Sequence, residues 1–342
     1  MKLSFASLPE EDLIMVCSDV EKIKEIYMNR EILVYGGTGF IGTWLTASLL
    51  FANYELKLNS KIKIVTRDAN RARNKFGQNP IGLEVYQHDL SLSLPKNITS
   101  ADLVFHCATP SNNSTGSNNG SALIASAINA ATHASKLKSS NLDIPIVIHL
   151  NSGAIYGKQT SQFRNENDPI LTNSTNSYVK SKILIDSILR RAEIQGLINF
   201  QSPRLFAFGG PLLALNEHFA IGNFLLNGLK DEKIEVRGNP ETTRSYMHAS
   251  DLVRILLLLP GCQTKETLNI GSNKIITMHE LATLISSITS RKGIYLSNPD
   301  AETSHYVPSV ANLENALGAL QMFPIEILLE KWIKWLQNRH RI

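Results

Sequence analysis

The chain has 342 residues, 43% of them hydrophobic and 19% charged, which is enough apolar material for a large buried core and too little like charge for a disordered chain. Lys and Arg number 34 against 30 Asp and Glu, a formal charge of +4 that is scattered along the sequence, so small anionic ligands suffice and neither nucleic acid nor a membrane surface is called for. Three cysteines (Cys17, Cys107 and Cys262) without CxxC spacing exclude a disulfide scaffold and predict unpaired thiols in a reducing compartment, the cytoplasm.

Residues 1–30 read as a helical extension with its helix at Glu10 to Met28; Pro9 and the acidic residues after it interrupt any signal-peptide stretch. Strand-length apolar runs follow at Ile32 to Tyr35, Ile62 to Thr66, Leu83 to Tyr86, Leu103 to His106, Ile146 to Leu150 and Leu197 to Phe200, separated by loops or helix-length segments. That alternation predicts a doubly wound parallel α/β sheet over 31–203. The loop between the fourth run and its helix is SNNSTGSNNGS, Ser111 to Ser121. After Arg204 the pattern turns Pro-, Gly- and Asn-rich, so 204–245 and 276–342 are expected to form a smaller substrate-binding lobe, with about 246–275 returning to the sheet. A strand is expected at Thr267 to Ile270 and a core-packing helix at Ile325 to Leu336. The longest apolar stretch, Ile255 to Leu259, ends at Pro260 and is too short to span a bilayer.

Gly36-Gly37-Thr38-Gly39-Phe40-Ile41-Gly42 follows the first strand and precedes helical Thr43 to Ala52. Glycines here allow a sharp turn and close helix packing, so backbone at Gly36, Gly39, Phe40, Ile41 and Gly42 is expected to cradle a dinucleotide pyrophosphate, the Rossmann-type arrangement. The second strand ends in Thr66-Arg67-Asp68. A guanidinium at Arg67 suits the 2′-phosphate of NADP, while Asp68 stays open as a partner for the ribose of NAD.

Tyr178 and Lys182 stand four apart at the start of a helical stretch, on one face, where the ammonium is expected to favour the ionised phenol and make Tyr178 a general base. Ser152 follows the fifth strand, where a hydroxyl faces the ligand crevice of a parallel sheet. None of the nine histidines has a spacing that predicts a metal site. His106 and Cys107 alternate faces at a strand end, which argues for burial and against a nucleophile pair.

With these motifs in order, the sequence resembles the extended short-chain dehydrogenase/reductases, the NAD-dependent epimerase/dehydratase family. The resemblance rests on GGTGFIG (Gly36 to Gly42), His88-Asp89-Leu90, FHCA (Phe105 to Ala108), SGAIYG (Ser152 to Gly157), SYVKSK (Ser177 to Lys182), PRLFAFGGP (Pro203 to Pro211) and TRSYMHASDLV (Thr243 to Val253). HFAIGNF (His218 to Phe224), with the N-terminal helix, is similar to a subgroup among bacterial surface-polysaccharide enzymes.

The resemblance implies that Tyr178 is the catalytic base and acid, that Lys182 holds the nicotinamide ribose, and that Ser152 hydrogen-bonds the reacting sugar oxygen. Asp89 and Leu90 would flank the adenine and Ala108 would line the cofactor channel. Asn223 and Arg244 would bind a nucleotide sugar, Arg244 at its diphosphate, and a homodimer through the Tyr-Lys helix is implied. Ser152-Gly153-Ala154 stands where the family's 4,6-dehydratases carry Thr-Asp-Glu, so dehydration is not expected. Ala207 replaces an asparagine and His305 an arginine that many relatives carry. The reading is an epimerase or keto-sugar reductase acting by hydride transfer at a sugar carbon, C4 first, with NAD or NADP. A reductase of small carbonyls, similar to dihydroflavonol reductases, and a non-catalytic dinucleotide-binding protein are the alternatives.

Overall fold

The computed structural model describes residues 5–78, 80–108, 120–215, 219–230, 232–262, 264, 267–290 and 293–340, His340 by its backbone alone. The loop expected at Ser111 to Ser121 lies, up to residue 119, outside the described residues, as does His218 of the HFAIGNF motif.

The β-branched runs form β1 (Glu31–Tyr35), β2 (Lys61–Thr66), β3 (Leu83–Gln87), β4 (Leu103–His106), β5 (Ile146–His149) and β7 (Asn199–Gln201), with the two-residue β6 (Asn151–Ser152) between the last two. They make one parallel sheet in the order β3-β2-β1-β4-β5-β7. Chain direction across the sheet reverses between β1 and β4, the switch point where ligands bind in doubly wound folds. β1 and β4 are buried almost throughout, as a sheet covered on both faces requires.

The helices packed with this sheet include α1 (Glu10–Glu21), α2 (Phe40–Glu55), α3 (Ala69–Phe76), α4 (Gly120–Ala134) and α5 (Ser177–Ile194). On one face Leu33, Tyr35, Val104 and Val147 pack with Ala127, Ala130, Ala131 and Ala134 of α4 and with Ile185 and Leu189 of α5. The alanine stripe lets α4 approach closely.

Two expected elements differ at one end, a helix that stops early and a strand that starts late. The helix predicted over Glu10 to Met28 stops at Glu21 and continues as a 3₁₀ turn at Lys24–Ile26, because Ile23 leaves helical geometry to pack, with Ile26, against Gly261. Leu197, expected in a strand, is 49% exposed. α5 closes there with Gly196 at φ 71°, Gly196 N–H donating to Glu193 O and Leu197 N–H to Ala192 O, a Schellman ending that delays the strand to Asn199.

Contacts group the chain into two units: Met1–Ile155, Leu171–Arg204 and Val253–Thr267 in one, and Tyr156–Ile170, Leu205–Leu252 and Leu268–Ile342 in the other. In the first, the N-terminal extension is tied down by Asp19, paired with Arg254 at 2.6 Å, and by Tyr27, whose hydroxyl donates to Leu257 O. At the amino ends of the strands, the fully buried Asp102 carboxylate accepts from Glu31 N, Ser139 Oγ, Ser140 N and both nitrogens of Asn141 at 2.6–2.9 Å. Leu171 N–H donates to Ile155 O at 2.7 Å, so the chain that departs at Tyr156 returns to where it left.

The second unit carries short strands. After β8 (Arg204–Leu205) come β9 (Phe208–Gly209), β10 (Ile234–Val236), β11 (Thr243–Arg244), β12 (Met247–His248), β13 (Asn269–Ile270), β14 (Ile276–Thr277), β15 (Ile294–Leu296) and β16 (His305–Tyr306). β9 pairs with β12, β10 with β15, and β11 lies between β14 and β16. Its helices are α6 (Ala220–Leu229), α8 (Met278–Ile288), α9 (Ala311–Leu317) and α10 (Ile325–His340), while α7 (Ala249–Leu258) runs across the division. Leu328 and Trp332 of α10 are fully buried and meet Gly209, which confirms α10 as a core helix.

Candidate active site

The glycine loop is shaped by contacts that admit no side chain. Gly36 has φ 74°, and a Cβ on it would lie 2.9 Å from the Ala108 Cα, which sets Ala108 against the loop. A Cβ on Gly42 would lie 2.1 Å from Gly36 O, and one on Gly37 2.6 Å from the Ile64 side chain. α2 therefore starts hard against the end of β1, with Gly39 as its N-cap and Phe40 and Ile41 in its first turn, where helix N–H groups have no acceptor inside the helix. This cradle fits the pyrophosphate of a dinucleotide.

At the end of β2, the Thr66 and Thr38 hydroxyls bond each other at 2.7 Å. Asp68 caps α3, its Oδ1 accepting from Asn70 N at 2.8 Å and Arg71 N at 3.1 Å, so the carboxylate left open by the sequence is committed to the helix. Arg67 is exposed. Asp89 accepts from the Ser91 hydroxyl and backbone N–H, which hold it below the usual carboxylate range with a further contribution from Arg67. Leu90 is buried, its carbonyl accepting from Asn129.

The reactive groups are positioned by turns at the carboxyl ends of the strands. Asn151 Oδ1 accepts from Ser152 N, and Ser152 Oγ accepts from Ala154 N at 3.2 Å, fixing the start of a 3₁₀ turn at Gly153–Tyr156. Asn176 caps α5 by accepting from Tyr178 N at 2.9 Å and Val179 N at 3.2 Å. The Lys182 Nζ lies 5.6 Å from the Tyr178 ring centroid and donates to Leu150 O. Ser152, Tyr178 and Lys182 are thus brought together as expected.

Their ionisation differs from the expectation. Burial raises the Tyr178 phenol, and the opposing influence is the Ser152 hydroxyl rather than Lys182. Burial also pushes Lys182 down to about 7, so near neutral pH it is only part-charged and does little to hold a phenolate. Cys107 is pushed up to about 12 by burial, so its thiol stays protonated.

Asn223 and Arg244 belong to the second unit. Asn223 lies in the first turn of α6. Arg244, half-buried in β11, donates to Thr243 O at 2.8 Å, Ser304 O at 3.1 Å and Ser304 Oγ at 3.0 Å, which fixes the guanidinium plane. His305 sits across from Thr243 in β16, their Nδ1 and Oγ1 2.6 Å apart.

Two groups escaped the sequence reading. Asn176 carries the helix-start signal of an N-cap asparagine before an apolar-periodic stretch. His149, paired with His106, carries none, because its partner comes from a distant strand. Among the described residues no cluster of three His, Cys, Asp or Glu could hold a metal, and no helix is long and apolar enough to cross a membrane.

The model of the NAD dependent epimerase/dehydratase family matches residues 32–271. UDP-glucuronic acid decarboxylase 1 of Xenopus tropicalis is 23% identical over 320 residues, covering 90% of this chain and 72% of the relative. A putative UDP-glucose 4-epimerase of Methanocaldococcus jannaschii is 23% identical over 321 residues, covering 91% and 99%. Among solved structures, a UDP-glucuronic acid 4-epimerase from Bacillus cereus, in complex with a UDP-sugar analogue and NAD, has a TM-score of 0.75 at 15% identity and covers 91% of this chain and all of its own, a likeness of fold.

Proposed function

The chain belongs to the NAD dependent epimerase/dehydratase family, and on that premise we propose that it exchanges a hydride at a ring carbon of a nucleotide-linked sugar, C4 first, as an epimerase or keto-sugar reductase. The observation that carries the reading is the meeting of Ser152, Tyr178 and Lys182 at the carboxyl ends of β5 and β6, in the unit that holds the glycine cradle. The nicotinamide group, when bound, supplies the two-electron acceptor or donor. In oxidation Tyr178 acts as its phenolate, the minority form at this buried position, and takes the sugar hydroxyl proton; in reduction the neutral phenol returns it. Ser152 orients the same oxygen, and Lys182 holds the cofactor ribose.

Ser152-Gly153-Ala154 offers no carboxylate, which supports a reaction without elimination of water and sets the chain apart from the dehydratase reading. Arg67, exposed beside a committed Asp68, supports NADP over NAD. Arg244 is assigned to a diphosphate, its planar fork suiting two phosphate oxygens. Ile128 of α4 (39% exposed) and Leu184 of α5 (37%) support a homodimer through these helices. The cytoplasm and the supply of surface-polysaccharide sugars complete the proposal.

Mass spectrometry of the denatured, purified protein tests it by identifying the co-purifying dinucleotide and nucleotide sugar. NMR of mixtures with UDP- and dTDP-hexoses then reads C4 inversion or reduction. A small-carbonyl reductase is the second reading, favoured by Arg67 alone; turnover of small ketones that is indifferent to added UDP, dTDP or CDP would select it.

A further inference from the structure

Beneath the site lie two imidazoles that the proposed chemistry does not use. His106 and His149 are register partners at the ends of β4 and β5, both 0% exposed, their rings edge to face with centroids 5.1 Å apart. Among the described residues none of their four ring nitrogens makes a hydrogen bond of full geometry, although the backbones of His106 and Lys182 act on the His149 ring as weak partners. Buried polar groups in native proteins are hydrogen-bonded with few exceptions, and exceptions cluster where function needs them. Lys182 presents the complementary surplus. Its buried ammonium carries three donors, of which one goes to the carbonyl of Leu150, the residue after His149. Its charge is felt at both rings and helps, after burial, to keep them neutral.

We propose that His149, backed edge-on by His106, is a positioning residue for Lys182: its neutral imidazole offers a second acceptor that, with Leu150 O, keeps the buried ammonium protonated and in place for the cofactor. The proposal rests on the reading of Lys182 as the residue that holds the cofactor ribose.

The surroundings give this acceptor its weight, because among the described residues no carboxylate acts on Lys182. From β1, Tyr35 is engaged with His133 of α4. From β4 come neutral His106 and the protonated thiol of Cys107, and from α5 the phenol of Tyr178, whose proton is held by burial. In such a pocket the proton content of the lysine is poised near neutrality, and each hydrogen bond to it counts.

The test is the pH dependence of NADH and NADPH binding, followed by nucleotide fluorescence from pH 6 to 9, in the wild type, His149→Phe and His149→Gln. Affinity is expected to fall as pH rises through the lysine's titration. His149→Phe keeps the ring stack, removes the acceptor, and is expected to move the midpoint down by about one pH unit, a tenfold change in proton affinity of the size of one hydrogen bond to a charge. His149→Gln restores an acceptor and is expected to recover most of the shift, with melting temperatures of the two variants alike. Should His149→Phe not fold, His149→Met replaces it, since methionine adapts to tight space. An unchanged midpoint in the acceptor-free variant overturns the proposal alone. A wild type that binds neither nucleotide, or Lys182→Ala binding as the wild type does, overturns the assignment of Lys182 and the proposal with it.

Discussion

Replacing Asp102 by asparagine tests how the sheet is held in register. The carboxylate is buried and takes three donors on Oδ1 (Ser139 Oγ, Ser140 N and Asn141 N) and two on Oδ2 (Glu31 N and Asn141 Nδ2). Burial works to raise its pKa, but these hydrogen bonds outweigh it and the net shift is downward. In Asp102→Asn the amide oxygen is best placed on the three-donor side, which puts the NH₂ group against two donors. Asn141 can turn its own amide to offer oxygen, but the backbone N–H of Glu31 has no such freedom. One orphaned buried N–H costs about 1–3 kcal/mol, and three charge-assisted bonds become neutral ones, so about 3 kcal/mol is expected in total. With a urea m-value of about 3 kcal/mol/M, the unfolding midpoint falls by about 1 M at pH 7. Because the folded pKa is depressed, this stabilisation is full above the ordinary aspartate value near 4 and is lost as pH falls through the lower folded value. The gap between wild type and variant therefore closes toward pH 3. A midpoint shift under about 0.3 M at pH 7, or one undiminished at pH 3, would refute the reasoning.

Tyr178→Phe is expected to lower turnover by about a thousandfold or more while leaving NADH binding, read by fluorescence, within a few-fold of wild type. Arg67→Asp is expected to shift the NADPH-to-NADH preference toward NADH by at least about tenfold in kcat/KM, and an unchanged ratio would remove Arg67 from the cofactor site. Gly42→Ala forces a methyl into a space where Gly36 O stands 2.1 Å away, so both nucleotides should bind at least about tenfold more weakly, as calorimetry would show. Leu184→Glu places a charge on the exposed apolar face of α5, and it should convert a dimer to monomer in light scattering.

What the sequence made legible was local. Gly36 to Gly42 announced its turn because only glycine tolerates the contacts found there, and Tyr178 with Lys182 announced a shared face because the helix period fixes it. The unread features depend on residues far apart in the chain. The His106–His149 stack exists because β4 and β5 pair in one register, and the Asp102 cluster joins residue 31 to residues 139–141. The 3₁₀ turn after α1 answers to Gly261, over two hundred positions away. Charge states were hidden for the same reason, since spacing revealed that Lys182 neighbours Tyr178 but not that burial would raise one proton affinity and lower the other.

The hydrogen bond from Leu171 N to Ile155 O closes the stretch between them with a stem. Ser152 lies just before the stem and Tyr178 just after it, so their spacing is set by the stem and not by the length or composition of what it closes. The closed stretch itself is committed to the second unit: Tyr156 donates to Asn269, Gln159 and Arg164 bridge His305 and Pro308, and Glu166 accepts from Asn269 N. The stem thus separates two duties, keeping the hydroxyl pair aligned at its base while what it closes is spent on the fold of the other unit.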